Sequence, residues 1–215
     1  MTVTVELRVL HLLCARLCHD LVGPVGAISN GIELVQEFGA DMEKDAFDLI
    51  DGSAKRVAGE LQFFRVAYGL AAGMATTVAD ARTLAMPYIE GGRVKLDWPV
   101  QPDDKITVIG DNPVKLTLNM ALLGVEALAR GGTLRVTAGL KPSPQITVVA
   151  TGEGVRLDEE TRKALEGTMT VAELTPRSVQ GYFTARLAEA VGGALACQAD
   201  GANALRLTSA FRPGA

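Results

Sequence analysis

The chain has 215 residues, 48% of them hydrophobic and 21% charged, so it is long enough for a packed core and too apolar to be disordered. Its net charge of -4 is spread over 21 basic and 25 acidic residues with no basic block, which removes the electrostatic case for nucleic acid or an anionic membrane as partner. With only two histidines and three cysteines, most metal and hydrolytic chemistry is short of material.

The first twenty residues are interrupted by Glu6, Arg8, His11 and Arg16 and do not read as a signal peptide. No apolar stretch reaches the roughly 18–20 residues that span a bilayer, so a cytoplasmic location is expected. Cys14, Cys18 and Cys197 are then expected as reduced, small, buried apolar residues.

From Val3 to Tyr68 the pattern predicts two long helices. The first carries Leu7, Leu10, Cys14, Leu17, Leu21, Pro24, Ile28, Gly31, Val35 and Phe38 at alternating spacings of three and four, the seam of a bundle helix. Gly39 ends it and Asp41 caps the next, whose stripe runs through Phe47, Ile50, Ala54, Val57, Leu61, Phe64 and Tyr68. A short turn near Ala40 makes an antiparallel hairpin. One hairpin covers only a flank of each stripe, so two copies are expected to pair as a homodimeric four-helix bundle.

After a small-residue linker, Leu70 to Thr76, the rhythm changes. Helical stretches at Val78 to Glu90, Pro113 to Arg130, Glu159 to Leu165 and Arg177 to Val191 alternate with strand-like runs. Those runs are Val94 to Trp98, Ile106 to Ile109, Thr133 to Ala138, Gln145 to Ala150, Leu195 to Ala199 and Ala204 to Phe211. The fold class is α+β, with a helical hairpin over residues 1–70 and an α/β two-layer sandwich over 77–215, its helices on one face of a mixed sheet.

Heptad placement with Cys14 at a and Leu17 at d puts His19 at f, opposite the seam and facing solvent. Pro24 removes a helical hydrogen bond at a cost of about 3 kcal/mol, and Gly23, four residues past His19, removes bulk on the same face. A partner can approach the imidazole. His11 lies eight residues earlier, about 80° round the helix, and lacks this context; it is read as structural. Trp98, Phe63 and Phe64 are read as core or interface residues, and Gly131-Gly132 as a turn.

The run RLCHDLVGPVGAISNG at Arg16 to Gly31, with an acidic residue after the histidine and a proline five on, resembles the phosphoacceptor box of sensor histidine kinases. Together with DAFDLIDGSAKRVAGELQFFRVAYG at Asp45 to Gly69 and LNMALLGVEALARGG at Leu118 to Gly132, it is similar to the ChpT-type histidine phosphotransferases of bacterial phosphorelays. Those proteins look like histidine kinases that have lost ATP binding, and the resemblance implies the same of the second domain. One asparagine, Asn119, survives in the helix after Asp111, but no Asn-Ala pair follows it. Ala150 stands where an aspartate would read adenine, ahead of Gly152-x-Gly154. The phosphate loop, near Ser178-Val179-Gln180-Gly181, lacks its glycine-rich turn, and only Glu166 to Thr175 is available as a lid.

The resemblance implies a relay in which His19 takes a phosphoryl group from the aspartate of one receiver domain and passes it to another. Asp20 orients the imidazole or accepts its proton. Arg16, Gly23, Pro24 and Arg65 are expected as docking or phosphoryl-neutralising residues, with Gln62 and Arg65 at the height of His19. No cofactor is expected on this chain: Mg²⁺ comes with the receiver, and ATP is not used. The alternative is a dimeric adaptor that docks receivers without chemistry, with an autophosphorylating kinase as a third reading.

Overall fold

The first helix, α1 (Leu7–Phe38), runs unbroken through Pro24 and ends on Gly39, whose φ of 58° is a backbone state that glycine adopts without a Cβ penalty. It pairs with α2 (Glu43–Ala67) to form the expected hairpin. The computed structural model describes residues 5–39, 43–69, 75–90, 92–102, 104 and 108–213. The Asp41 cap, most of the predicted linker and the core of the predicted strand at 106–109 lie outside these residues; at its end, Val108 forms an isolated bridge with Thr77.

The body follows as α3 (Val78–Glu90), β1 (Val94–Asp97), α4 (Asp111–Ala127), β2 (Gly132–Gly139), β3 (Gln145–Thr151), α5 (Glu159–Leu165), α6 (Val179–Ala190), β4 (Leu195–Ala199) and β5 (Ala204–Ala210). The strands form one mixed sheet in the order β1-β2-β3-β5-β4, parallel only between β1 and β2. Alternation sets its two faces. Leu134, Val136, Ile146, Val148, Ala150 and Leu207 are buried against the helices, while Arg135 and Thr137 on β2 point to solvent.

Helix α4 is the centre of the core: twelve of its 17 residues are buried. A Cβ at Gly124 would run into Leu134 and Val148, so glycine there lets α4 lie close against the sheet. Helix α3 opens with reciprocal bonds: the Asp80 carboxylate accepts from the Thr76 and Thr77 amides, and the Asp80 amide donates to Thr77 Oγ1.

The hairpin does not stand apart from the body. Phe63, Phe64, Val66 and Ala67 of α2 belong to the same buried cluster as α4 and the sheet, with Trp98. Phe63 stacks on Tyr88 of α3 at a centroid distance of 4.3 Å. At the other end, Val9 and Leu13 of α1 pack with Ala164, Leu174 and Val179, and Arg8 donates to the carbonyls of Val171 (Nε, 3.0 Å) and Leu174 (Nη2, 3.0 Å).

This docking corrects the predicted seam. Leu7, Leu10 and Cys14 were expected to be covered; they are exposed, because the first turns of α1 use Val9 and Leu13 to reach the body instead. Cys18 is exposed and Cys197 half-buried, so none of the cysteines is fully buried as expected. Over Leu7–Glu37, 31 residues, α1 is also long and apolar enough by length and composition to cross a membrane, contrary to the expectation that no stretch is. The reason is shared: α1 is apolar on two faces, one turned to α2 and the body, the other not covered within a single chain.

Candidate functional site

His19 stands on the outer face of α1 with 88% of its side chain exposed, as heptad placement predicts. Its Nδ1 lies 3.3 Å from Asp20 Oδ1. A carboxylate can only accept, so the ring nitrogen that faces it carries the hydrogen, and the lone pair of a neutral imidazole is left on Nε2, facing solvent. Beside the ring, a Cβ on Gly23 would meet nothing within 4 Å, so the space there is open. Pro24 is buried towards the inside of the hairpin, and its missing N–H leaves the Asp20 carbonyl without its helical donor.

Arg16 sits one turn before His19 but is turned to the body. With 15% of its side chain exposed, its Nη2 donates to Glu126 Oε1 on α4, and its Nε lies 4.0 Å from Asp20 Oδ2. Burial works against the Arg16 charge, and Glu126, with Tyr68, Asp20 and Tyr88 behind it, more than restores it. Burial in turn pushes the Glu126 carboxyl up to about 7 against the pull of Arg16. It likewise raises the hydroxyls of Tyr68 and Tyr88, which close over the same group. Thus a docking or neutralising residue of the sequence reading is, in the structure, an internal tie between α1 and α4. No local signal in the sequence marks Glu126 as the partner of Arg16, 110 residues away.

The expected height of Arg65 follows from the hairpin's pairing. Gly31 of α1 meets Ala46 and Ile50 of α2, and Arg16 meets Tyr68 near the other end. Antiparallel pairing between these points carries Gln62 and Arg65 to the level of His19. Arg65 is exposed there, in the last turn of α2.

The Asn119 amide is turned into the core. Its Nδ2 donates to the carbonyls of Ala67 and Lys115, each at 2.8 Å, and its Oδ1 accepts from Gln180 Nε2 at 2.9 Å. Gln180 Oε1 accepts from the Tyr68 hydroxyl at 2.7 Å, completing a network across α2, α4 and α6. The stretch Ser178-Val179-Gln180-Gly181, where a phosphate loop would fall, is wholly buried. A Cβ at Gly181 would meet the Thr161 carbonyl of α5. The lid-length segment holds a short 3-10 turn, Val171–Glu173, which receives Arg8. Gly152-x-Gly154 forms the turn after β3.

A sequence model described as the histidine phosphotransferase C-terminal domain matches residues 78–203. The chain is 38% identical to the protein phosphotransferase ChpT of Brucella abortus (strain 2308) over 184 residues, covering 84% of this chain and 85% of that one. A solved structure described as a bacterial phosphotransferase superposes with a TM-score of 0.79 at 32% identity, covering 97% of this chain and 98% of the other. The family model spans more than half of the chain and the two relatives cover 84% and 97% of it, so the chain belongs to the ChpT-type histidine phosphotransferases, phosphotransferases of bacterial phosphorelays.

Proposed function

We propose that this chain relays a phosphoryl group between receiver-domain aspartates through a phosphohistidine on His19. The observation that carries the reading is the pairing of an imidazole 88% exposed with an Asp20 carboxylate 3.3 Å from its inner nitrogen. Nε2 attacks the phosphorus of an aspartyl phosphate, the N–P bond forms as the P–O bond breaks, and the receiver's carboxylate leaves. Asp20 holds the Nδ1 hydrogen throughout and stabilises the positive charge that develops on the ring. Transfer to a second receiver reverses these steps. Mg²⁺ belongs to the receiver in this scheme; this chain supplies position and an open approach over Gly23.

Two further elements complete the reading. The chain does not use ATP: Ala150 offers no acceptor to adenine, and Asn119 and Gln180 spend their polar atoms on each other and on α2. The chain works as a homodimer in which Val25, Ile32, Phe47 and Leu61, all exposed on the hairpin, are covered in a four-helix bundle. A dimer also accounts for the second apolar face of α1 without a bilayer, and Arg8, Arg16 and Asp20 of that helix are turned to the body, in keeping with a cytoplasmic protein.

Labelling tests the central claim. Mixed with a receiver carrying radioactive aspartyl phosphate, the wild type should acquire alkali-stable, acid-labile label, and His19→Gln should acquire none. Label that persists in His19→Gln sinks the relay through this residue, and no label on the wild type leaves the adaptor reading. ATP alone should label neither protein.

A further inference from the structure

We propose that Glu126, on α4 of the body, is a positioning residue for His19 that acts through Arg16 and Asp20. Its meaning for phosphotransfer rests on the reading of His19 as the phosphoryl acceptor.

The Asp20 carboxylate has two possible partners. Oδ1 is 3.3 Å from His19 Nδ1, while Oδ2 is 4.0 Å from Arg16 Nε, too far for a hydrogen bond. That Nε is buried and has no hydrogen-bond partner among the described residues. Arg16 leaves Asp20 to the imidazole because Glu126 holds the other end of its guanidinium and offsets its charge. Without the Glu126 charge, a mostly buried guanidinium faces an uncompensated cost, and Asp20 is the carboxylate within reach. A small turn of Asp20 towards Arg16 takes the acceptor away from Nδ1. The neutral imidazole then returns to the tautomer preference it has in water, which places the hydrogen on Nε2, and the nucleophilic lone pair is lost from the exposed position.

The surroundings of Glu126 make this a switchable arrangement. Arg16 and Asp20 face it from α1, and Asp158 from the segment before α5; Tyr68, just past the end of α2, and Tyr88 of α3 face the same guanidinium. A quarter of the Glu126 side chain (25%) remains accessible, where it lines a cleft of about 930 Å³ together with Arg130, Arg156 and Arg177. Burial brings its ionisation to about 7, so its charge changes across the physiological range.

The test reads the His19 ring directly in the full-length, unphosphorylated protein, by ¹⁵N chemical shifts at pH 8, with His19→Gln supplying the assignment. In the wild type the Nδ1–H tautomer should dominate. In Glu126→Gln the Nε2–H form should become the major one, and transfer from a phosphorylated receiver should slow several-fold. The double variant Arg16→Met, Glu126→Gln removes the competitor for Asp20 and should bring the Nδ1–H form back. An unchanged ring spectrum in Glu126→Gln overturns the proposal, and so does a double variant that stays like the single one. If circular dichroism shows Glu126→Gln unfolded, Glu126→Asp is read in its place, with a partial shift in the same direction expected and no shift overturning the proposal. Label that survives in His19→Gln would instead overturn the relay function while leaving the ring result standing.

Discussion

The hairpin and the body bury their side chains very differently. On α4 twelve of 17 residues are buried, whereas the outer half of the hairpin leaves Val25, Ile32, Phe47 and Leu49 in solvent. The body is finished as a single chain. The hairpin is covered at its base, where Val9, Leu13, Phe63, Phe64, Val66 and Ala67 lock into the body, and its outer stripe is left exposed within one chain. His19 lies on the exposed flank of the hairpin near that base, and Arg16, which flanks its neighbour Asp20, is tied to Glu126 of the body.

Truncation at the base should show that this part of the hairpin belongs to the body. Phe63 is fully buried and stacked on Tyr88, so Phe63→Ala should cost about 3–5 kcal/mol in urea unfolding, as much as a central core residue. A loss below about 1 kcal/mol would mean that the hairpin folds independently of the body.

The seam between the regions titrates. The Glu126 carboxyl is raised by burial, so the folded protein holds its proton more tightly than the unfolded chain does. That stabilisation is complete below the ordinary glutamate range and is lost as the pH rises through about 7, at a cost of about 3 kcal/mol. Unfolding free energies between pH 4 and 8 should show this fall, and Glu126→Gln should flatten it. A wild-type profile no steeper than that of the variant would remove the buried-carboxyl account.

Asn119→Leu cuts the polar tie from α4 to α2 and α6. Stranding the Ala67 carbonyl and Gln180 should cost about 2 kcal/mol, read in the same unfolding experiment. Little or no loss would show that the network is not holding the hairpin base.

The smallest effect on folding should come from the outer stripe. Phe47 is 54% exposed in one chain, and Phe47→Ser should change subunit stability by about 0.5 kcal/mol or less. In sedimentation equilibrium the same substitution, combined with Leu61→Ser, should shift two copies to one. A wild type that sediments as a single copy at every concentration would end the four-helix-bundle reading.

Much of this organisation is legible in the residue pattern, and the failures have physical reasons. Periodicities of 3.6 and 2 recovered α3, α5 and β4 at their observed bounds and the other described strands and helices within a few residues, because each buries one face of regular period. The structure departs from the predicted seam of α1 over its first two turns because apolarity says that a side chain wants cover, not which neighbour provides it. Val9 and Leu13 look no different in sequence from Leu7 and Leu10; what separates them is the position of Leu174 and Val179, some 160 residues on. Asn119 could be recognised as a remnant, yet only packing shows that Gln180 has taken its amide.

For His19, the local run of residues was enough to place it outward and clear its approach, since helix geometry and the Gly-Pro step act within two turns. The state of its ring depends on long-range folding. Asp20 is adjacent in sequence, but whether its carboxylate serves the imidazole or the arginine turns on Glu126, brought to Arg16 by the packing of α4 beneath the hairpin. A chain carries its periodicity locally, whereas a buried ion pair exists only once distant segments have excluded water between them.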